Sequence, residues 1–167
     1  MDTTAGPLRP ITDDDVDAVL RWNEDHVELL APLGGPRLAE LRGWADGASV
    51  ITHEDADVGF VLTFAAGTAY DSVNYRWFSE RHPEFLYLDR IVIDASARRS
   101  GIGSRVYDAV EARAAELGPV LCLEVNLVPP NEPSLAFHRN RGFVEVGRLE
   151  AGGHVVSLLE KKVTTPS

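Results

Sequence analysis

Arg98-Arg99-Ser100-Gly101-Ile102-Gly103 is the stretch on which the fold turns. It follows a near-continuous apolar run, Phe85 to Ile93, which reads as a buried strand. It opens the segment Gly103 to Leu117, in which Ile102, Val106, Val110 and Leu117 fall on one helical face. Strand, short basic glycine loop and helix N-terminus form a layout that holds a pyrophosphate. N–H groups point out of the helix end, the dipole adds positive potential, and the glycines let the backbone approach the anion. Arg98 and Arg99 add full charge beside it. No Lys-Ser or Lys-Thr follows Gly103, which excludes the nucleoside-triphosphatase loop. Val106 stands where a dinucleotide fingerprint needs its third glycine.

What remains is Arg-x-x-Gly-x-Gly, and a second segment joins it. After another apolar strand, Val120 to Asn126, comes Asn131-Glu132-Pro133-Ser134-Leu135-Ala136-Phe137-His138-Arg139-Asn140-Arg141-Gly142-Phe143. The first motif resembles the acyl-CoA loop of the GNAT superfamily of N-acetyltransferases, Gln/Arg-x-x-Gly-x-Gly/Ala. The second resembles its other signature, Asn-x-x-Ala/Ser-x-x-Leu/Phe-Tyr-x-x-x-Gly-Phe, matched by Asn131, Ser134, Phe137, Gly142 and Phe143. His138 stands where that family has Tyr. The resemblance spans about Glu84 to Arg148 and is silent on the acceptor.

Composition fits this frame. The 167 residues suit one domain, residues 1–167, of the soluble globular class, with 44% hydrophobic and 25% charged residues. The net charge of −10 argues against nucleic acid and against an anionic membrane surface, and a cationic amine is drawn toward such a field. Met1 to Pro10 lacks an apolar signal region. The single cysteine, Cys122, excludes an internal disulfide, reads as a small buried hydrophobe and fits a reducing cytoplasm. His26, His53, His82 and His154 show no ligand spacing, so no metal is expected.

Along the chain, Leu8 to Ile11 reads as a short strand. Thr12 caps a helix whose first turn is Asp13, Asp14 and Asp15. Pro32 to Pro36 breaks it, and Leu38, Leu41 and Trp44 mark a second helix. Ser49–Thr52 and Val58–Phe64 pair as strands, and Gly67 to Pro83 reads as a long aromatic loop. Phe143–Leu149 and His154–Val163 close the chain as a hairpin. The order is β-α-α-β-β-β-α-β-α-β-β, an α/β class with a mixed, twisted sheet, in agreement with the GNAT fold.

The resemblance implies acetyl-CoA or a related acyl-CoA as donor. Its pyrophosphate would lie on the N–H groups of Ser100, Gly101, Ile102, Gly103 and Ser104, flanked by Arg98 and Arg99. Its pantetheine would pair with the strand edge at Ile91, Val92 and Ile93, and an N–H near Val92 would meet the developing oxyanion. Asn131, with Ser134 and Phe137, would hold the pantetheine or its loop, and Asn126 shares that reading.

The reaction implied is direct attack by a primary amine on the thioester. An alkylamine has a pKa of about 10.4, so a base must take its proton. Asp89 comes first, because strand alternation puts it with Tyr87, Ile91 and Ile93 on one face and a carboxylate there is costly unless paired. An ion pair with Arg90 is the structural alternative, Glu124 is the second candidate base, and a water chain is a third route. His138 takes the place of the family's acid, either as an imidazolium donating to the thiolate or as a hydrogen-bond partner only. Asn23, His26, Tyr75, Trp77 and Phe78 are candidates for the acceptor cleft.

Three readings follow. The first is an N-acetyltransferase acting on a small-molecule or peptide amine. The second is a GNAT-fold module that binds acyl-CoA without turnover. The third is a protein N-terminal acetyltransferase. A homodimer is compatible with each.

Overall fold

The computed structural model describes residues 6–26, 30–151 and 153–163. Its strands are β1 (Leu8–Pro10), β2 (Gly47–His53), β3 (Ala56–Ala65), β4 (Leu86–Ile93), β5 (Val120–Val128), β6 (Val144–Ala151) and β7 (His154–Lys162). They form one sheet in the order β1-β2-β3-β4-β5-β7-β6. All neighbours are antiparallel except β4 and β5. The helices are α1 (Val16–Glu24), α2 (Gly35–Trp44), α3 (Val73–Ser79), α4 (Ile102–Leu117) and α5 (Glu132–Asn140). Among the described residues, no helix is long and apolar enough to cross a membrane.

The sheet separates two cores. One face buries Val19, Leu38, Phe60, Phe64, Tyr75 and Phe78 from α1, α2, β3 and α3. The other buries Ile102, Val106, Val110 and Ala114 of α4 against Val61, Leu86, Leu121 and Leu123. Each large apolar side chain buried this way contributes roughly 1.5–3 kcal/mol. The acidic first turn before α1 forms the expected cap. Thr12 and Asp15 make a reciprocal capping box, and Arg9 bridges Asp15 and Asp57 across the β1 edge.

One expectation is corrected. The stretch Gly67–Pro83 contains a helix, α3, capped by the Ser72 hydroxyl accepting from the Tyr75 N–H at 3.2 Å. Two turns are too short for an apolar period to stand out, and burial of Tyr75 and Phe78 at i and i+3 stabilises the helix instead. The Tyr75 hydroxyl donates to the Ala65 carbonyl at 2.7 Å and ties α3 to the end of β3.

Candidate active site

The cleft opens where β4 and β5 part. The two strands pair only at Leu86↔Leu121 and Tyr87↔Cys122, and beyond these residues they splay. On its other side β4 stays paired to β3, but the register slips: Thr63 opposes Leu88 and Leu62 opposes Arg90. Asp89 is the extra residue of a β-bulge, which shifts the side-chain alternation by one position. This corrects the expectation that Tyr87, Asp89, Ile91 and Ile93 share a face. Tyr87 packs in the core with α3, whereas Ile91 and Ile93 pack on the α4 side. The Val92 carbonyl is turned toward β3, so close that a Cβ on Gly59 would lie 1.9 Å from it. By antiparallel alternation the backbone groups turned away from β3 toward the cleft are those of Ile91 and Ile93, and the donor expected near Val92 falls to the N–H groups of these neighbours.

The loop between β4 and α4 passes through left-handed backbone at two positions. Gly101 sits at φ +84°, and a Cβ there would meet open space. Arg99 also adopts positive φ, +65°. Helix geometry leaves the first-turn N–H groups, at Ile102, Gly103 and Ser104, without carbonyl partners one turn earlier. The side chain of Ile102 is buried in the core, so its part in the loop is its backbone. Ser100 caps the loop from within, accepting from the Ile102 N–H at 3.4 Å. Arg98 donates to the Ile93 carbonyl at 3.3 Å and contacts His26 Nε2. A cavity of about 490 Å³ runs from this loop along β4 to α5. It brings together the expected residues Ile91, Val92, Ile93, Arg98, Gly103, Asn131, Ser134, Phe137 and His138. The Asn131 side chain accepts from the Ser134 N–H at 3.3 Å and caps α5, and its N–H donates to the Asn126 carbonyl at 3.0 Å, closing the loop between them.

A second chamber adjoins the first. Asp89, Glu124 and His138 line it together, with Asn126 and His26. The Tyr87 hydroxyl donates to Glu124 Oε1 in a very short contact, and Asn74 of α3 also bonds to this carboxylate. Burial, with Asp89 adding repulsion, pushes the Glu124 carboxyl up to about 8. Asp89 is differently placed. Arg90 donates to it at 3.3 Å, Tyr70 bonds to it, and its side chain is 8% exposed. Burial raises its pKa and the Arg90 charge opposes the rise. Arg90 in turn donates to Asn23 Oδ1 at 2.9 Å and to the Ala31 carbonyl at 2.8 Å. Asp89 is therefore held in an internal ion pair, while the Glu124 carboxyl, on a half-buried residue, has hydrogen-bond partners but no ion-pair partner among the described residues.

His138 lies at the wall shared by both chambers. Its Nδ1 is 2.7 Å from the Ser134 carbonyl and its Nε2 is 2.6 Å from the Tyr107 hydroxyl. Burial lowers its pKa below the ordinary value of 6.5, so the ring is neutral near neutral pH. With both nitrogens engaged, this favours the hydrogen-bonding alternative over an imidazolium donating directly to sulfur.

The acceptor candidates divide. His26 reaches both chambers. Asn23 is buried beneath them, donating to Ala31 and fixing Arg90. Tyr75 and Phe78 are corrected from cleft residues to core, 2% and 0% exposed. Trp77 packs against Gly147 of β6, with Arg81 stacked 3.5 Å over its ring. Tyr107, Tyr87 and Arg90 belong to the site without having been singled out as site residues. Tyr107 adjoins Val106 on the apolar face of α4, and a phenol on such a face is the only local signal. Away from the cleft, His82, Cys122 and Glu160 bring ligand atoms within 4.8 Å of one another, which sequence spacing does not reveal. Here His82 and Glu160 pair at 2.8 Å.

Comparisons place this geometry among known proteins. The model of the acetyltransferase (GNAT) family matches residues 16–143. No curated protein sequence matches the chain. Among solved structures, Ard1 from Thermoplasma volcanium superposes with a TM-score of 0.73 at 20% identity, covering 96% of this chain and 99% of that one. Arabidopsis thaliana Naa50, in complex with the bisubstrate analogue CoA-Ac-MVNAL, gives 0.69 at 15% identity, covering 92% and 96%. The ribosomal-protein-S18-alanine N-acetyltransferase from Escherichia coli gives 0.68 at 15% identity, covering 96% and 95%.

Proposed function

This chain belongs to the acetyltransferase (GNAT) family, and we propose on that basis that it transfers an acetyl group from acetyl-CoA to a primary amine by direct attack in a ternary complex. The observation that carries the reading is the junction of the two chambers. The cavity from the α4 loop meets, at His138 and Ile91, a pocket whose floor holds the Glu124 carboxyl.

The pyrophosphate lies on the N–H groups of Ser100 to Ser104, with Arg98 and Arg99 beside it. The pantetheine runs along the open edge of β4 and adds to it like a strand. The thioester then reaches the Ile91 end, where backbone N–H donors meet the developing oxyanion. Glu124 is the base. Held up to about 8 by burial, it takes one proton from an incoming ammonium in that range and releases it to solvent. Asp89 keeps negative potential in the acceptor chamber and, through Arg90, fixes α1 to β4.

A small-molecule amine has one likeness in its favour, a putative phosphinothricin N-acetyltransferase at 20% identity, and a polypeptide α-amine has the following. The Naa50 complex carries an acetylated peptide analogue, and the Escherichia coli relative is named for an alanine of ribosomal protein S18. An α-amine has a pKa of about 7.7–8.0, close to that of Glu124. The test is thiol release from acetyl-CoA across a panel of small alkylamines, lysine-like amines and short peptides. Turnover on peptides with free N-termini identifies the polypeptide class, and turnover on alkylamines alone identifies the small-molecule class. Tight CoA binding with no thiol release on any acceptor overturns the catalytic reading.

A further inference from the structure

His138 touches the cleft, yet both of its ring nitrogens are engaged inside the fold. The Ser134 carbonyl, 2.7 Å from Nδ1, can only accept, so Nδ1 carries the hydrogen. Nε2 then accepts from the Tyr107 hydroxyl at 2.6 Å. T-shaped contacts hold both rings: Tyr107 on Phe137 at 5.0 Å and His138 on Phe143 at 5.2 Å. The Arg141 guanidinium lies 5.5 Å from the Tyr107 ring centre and favours negative charge on the phenol. Tyr107 lines both chambers, and its oxygen keeps acceptor capacity that no contact in this pair uses.

We propose that Tyr107 is the catalytic residue that meets the thioester sulfur, with His138 behind it as a positioning residue and proton store. The inference rests on the acetyl-transfer reading above. The amine nitrogen attacks the carbonyl carbon and the C=O pair moves to oxygen. A proton on the new ammonium passes to the Tyr107 oxygen as the Tyr107 proton passes to Nε2. When the intermediate collapses, C=O re-forms, C–S breaks and the electron pair leaves on sulfur. Nε2 then returns its proton to Tyr107 as the phenol proton moves to sulfur, yielding CoA thiol and the resting pair. Burial holds the Tyr107 phenol above its usual range, so it is a poor donor unless Nε2 refills it. The lowered basicity of His138 makes that refilling favourable.

Tyr107→Phe and His138→Gln each lower kcat about 10²-fold, with CoA affinity within about threefold of wild type. The double variant falls no further than either single, because the two residues pass the same proton. Moving the phenol to α5, as Tyr107→Leu with His138→Tyr, recovers most of the loss. Multiplicative losses without recovery overturn the relay. A second measurement needs no variant: imidazole ¹⁵N spectra of wild type with CoA and with desulfo-CoA. CoA alone shifts the Nε2 resonance if Tyr107 transmits contact with sulfur, and equal responses overturn the proposal. No turnover on any amine with the sulfur-specific shift intact overturns the acetyl-transfer reading instead.

Discussion

On the α4 side of the cleft the candidate binding groups are backbone atoms held by one loop, whereas on the β5 side they are side chains drawn from separate elements. Ser100 to Ser104 are contiguous, and their geometry follows from a positive φ at Gly101 and a helix beginning there. Glu124 comes from β5, Tyr87 and Asp89 from β4, Asn74 from α3, and Asn23, which steadies Arg90, from α1. A loop of backbone donors suits an anion common to every reaction of a family. A chamber built from distant side chains can change its acceptor without disturbing the loop. The difference predicts that variants of the side chains lining the β5 chamber change kcat and its pH dependence, and variants in the loop before α4 change CoA affinity.

The largest separation is expected at Glu124. Glu124→Gln lowers kcat by about 10²- to 10⁴-fold and leaves the CoA dissociation constant unchanged, measured by steady-state thiol release and calorimetry. In wild type, log kcat rises with unit slope below about 8 and flattens above, because the active form is the carboxylate. With an alkylamine acceptor, whose own pKa is about 10.4, the variant's break moves up into that range, and a break that stays near 8 removes Glu124 from the role of base. Stability follows the opposite sign. The folded state holds the Glu124 proton from the ordinary 4.5 up to about 8, so wild type loses stability as pH rises through that window and no further above it. Thermal melts of Glu124→Gln lack that decline.

Arg90 comes next, as the residue linking the two halves. Arg90→Met strands a buried Asp89 and two buried acceptors, at a cost of about 3–5 kcal/mol, or a fall of roughly 10 °C in Tm. A melt within about 2 °C of wild type would show that the pair is not holding α1 on β4.

Gly101→Trp addresses the α4 side alone. The side chain occupies the open space at the helix end, and CoA affinity falls about 10²-fold. The left-handed backbone adds strain of about 1–2 kcal/mol, visible in the melt but too small to unfold the chain. Arg98→Ala has the smallest effect, a roughly tenfold loss of CoA affinity that shrinks as salt is raised. A kcat effect from either variant at saturating acetyl-CoA would break the division between the halves.

What was legible in the sequence maps onto the same division. The strand–loop–helix around Gly101 and the capped helix at Asn131 are local, each decided by residues within a few positions of one another. The apolar periods of β3, β4, β5 and α4 likewise appear where they were expected, with ends shifted by a few residues. The departures all involve contacts far apart in the chain. The bulge at Asp89 is a matter of β3–β4 register, and it reversed the face assigned to Ile91 and Ile93. α3 exists because Tyr75 and Phe78 are buried, which a two-turn segment does not announce. Tyr107 and His138 are separated by 30 intervening positions and meet only because α4 and α5 flank the same gap.

The chain by itself therefore determined the strand–loop–helix around Gly101 and the main apolar strands and helices, which rest on local backbone geometry and hydrophobic period, while its two motifs carried the resemblance to the GNAT family. Only the tertiary structure decided which carboxyl is ion-paired, where the Tyr107 phenol stands and that burial lowers the pKa of His138. Those properties are set by desolvation and by hydrogen-bond partners, and both depend on which distant residues share a wall of the cleft.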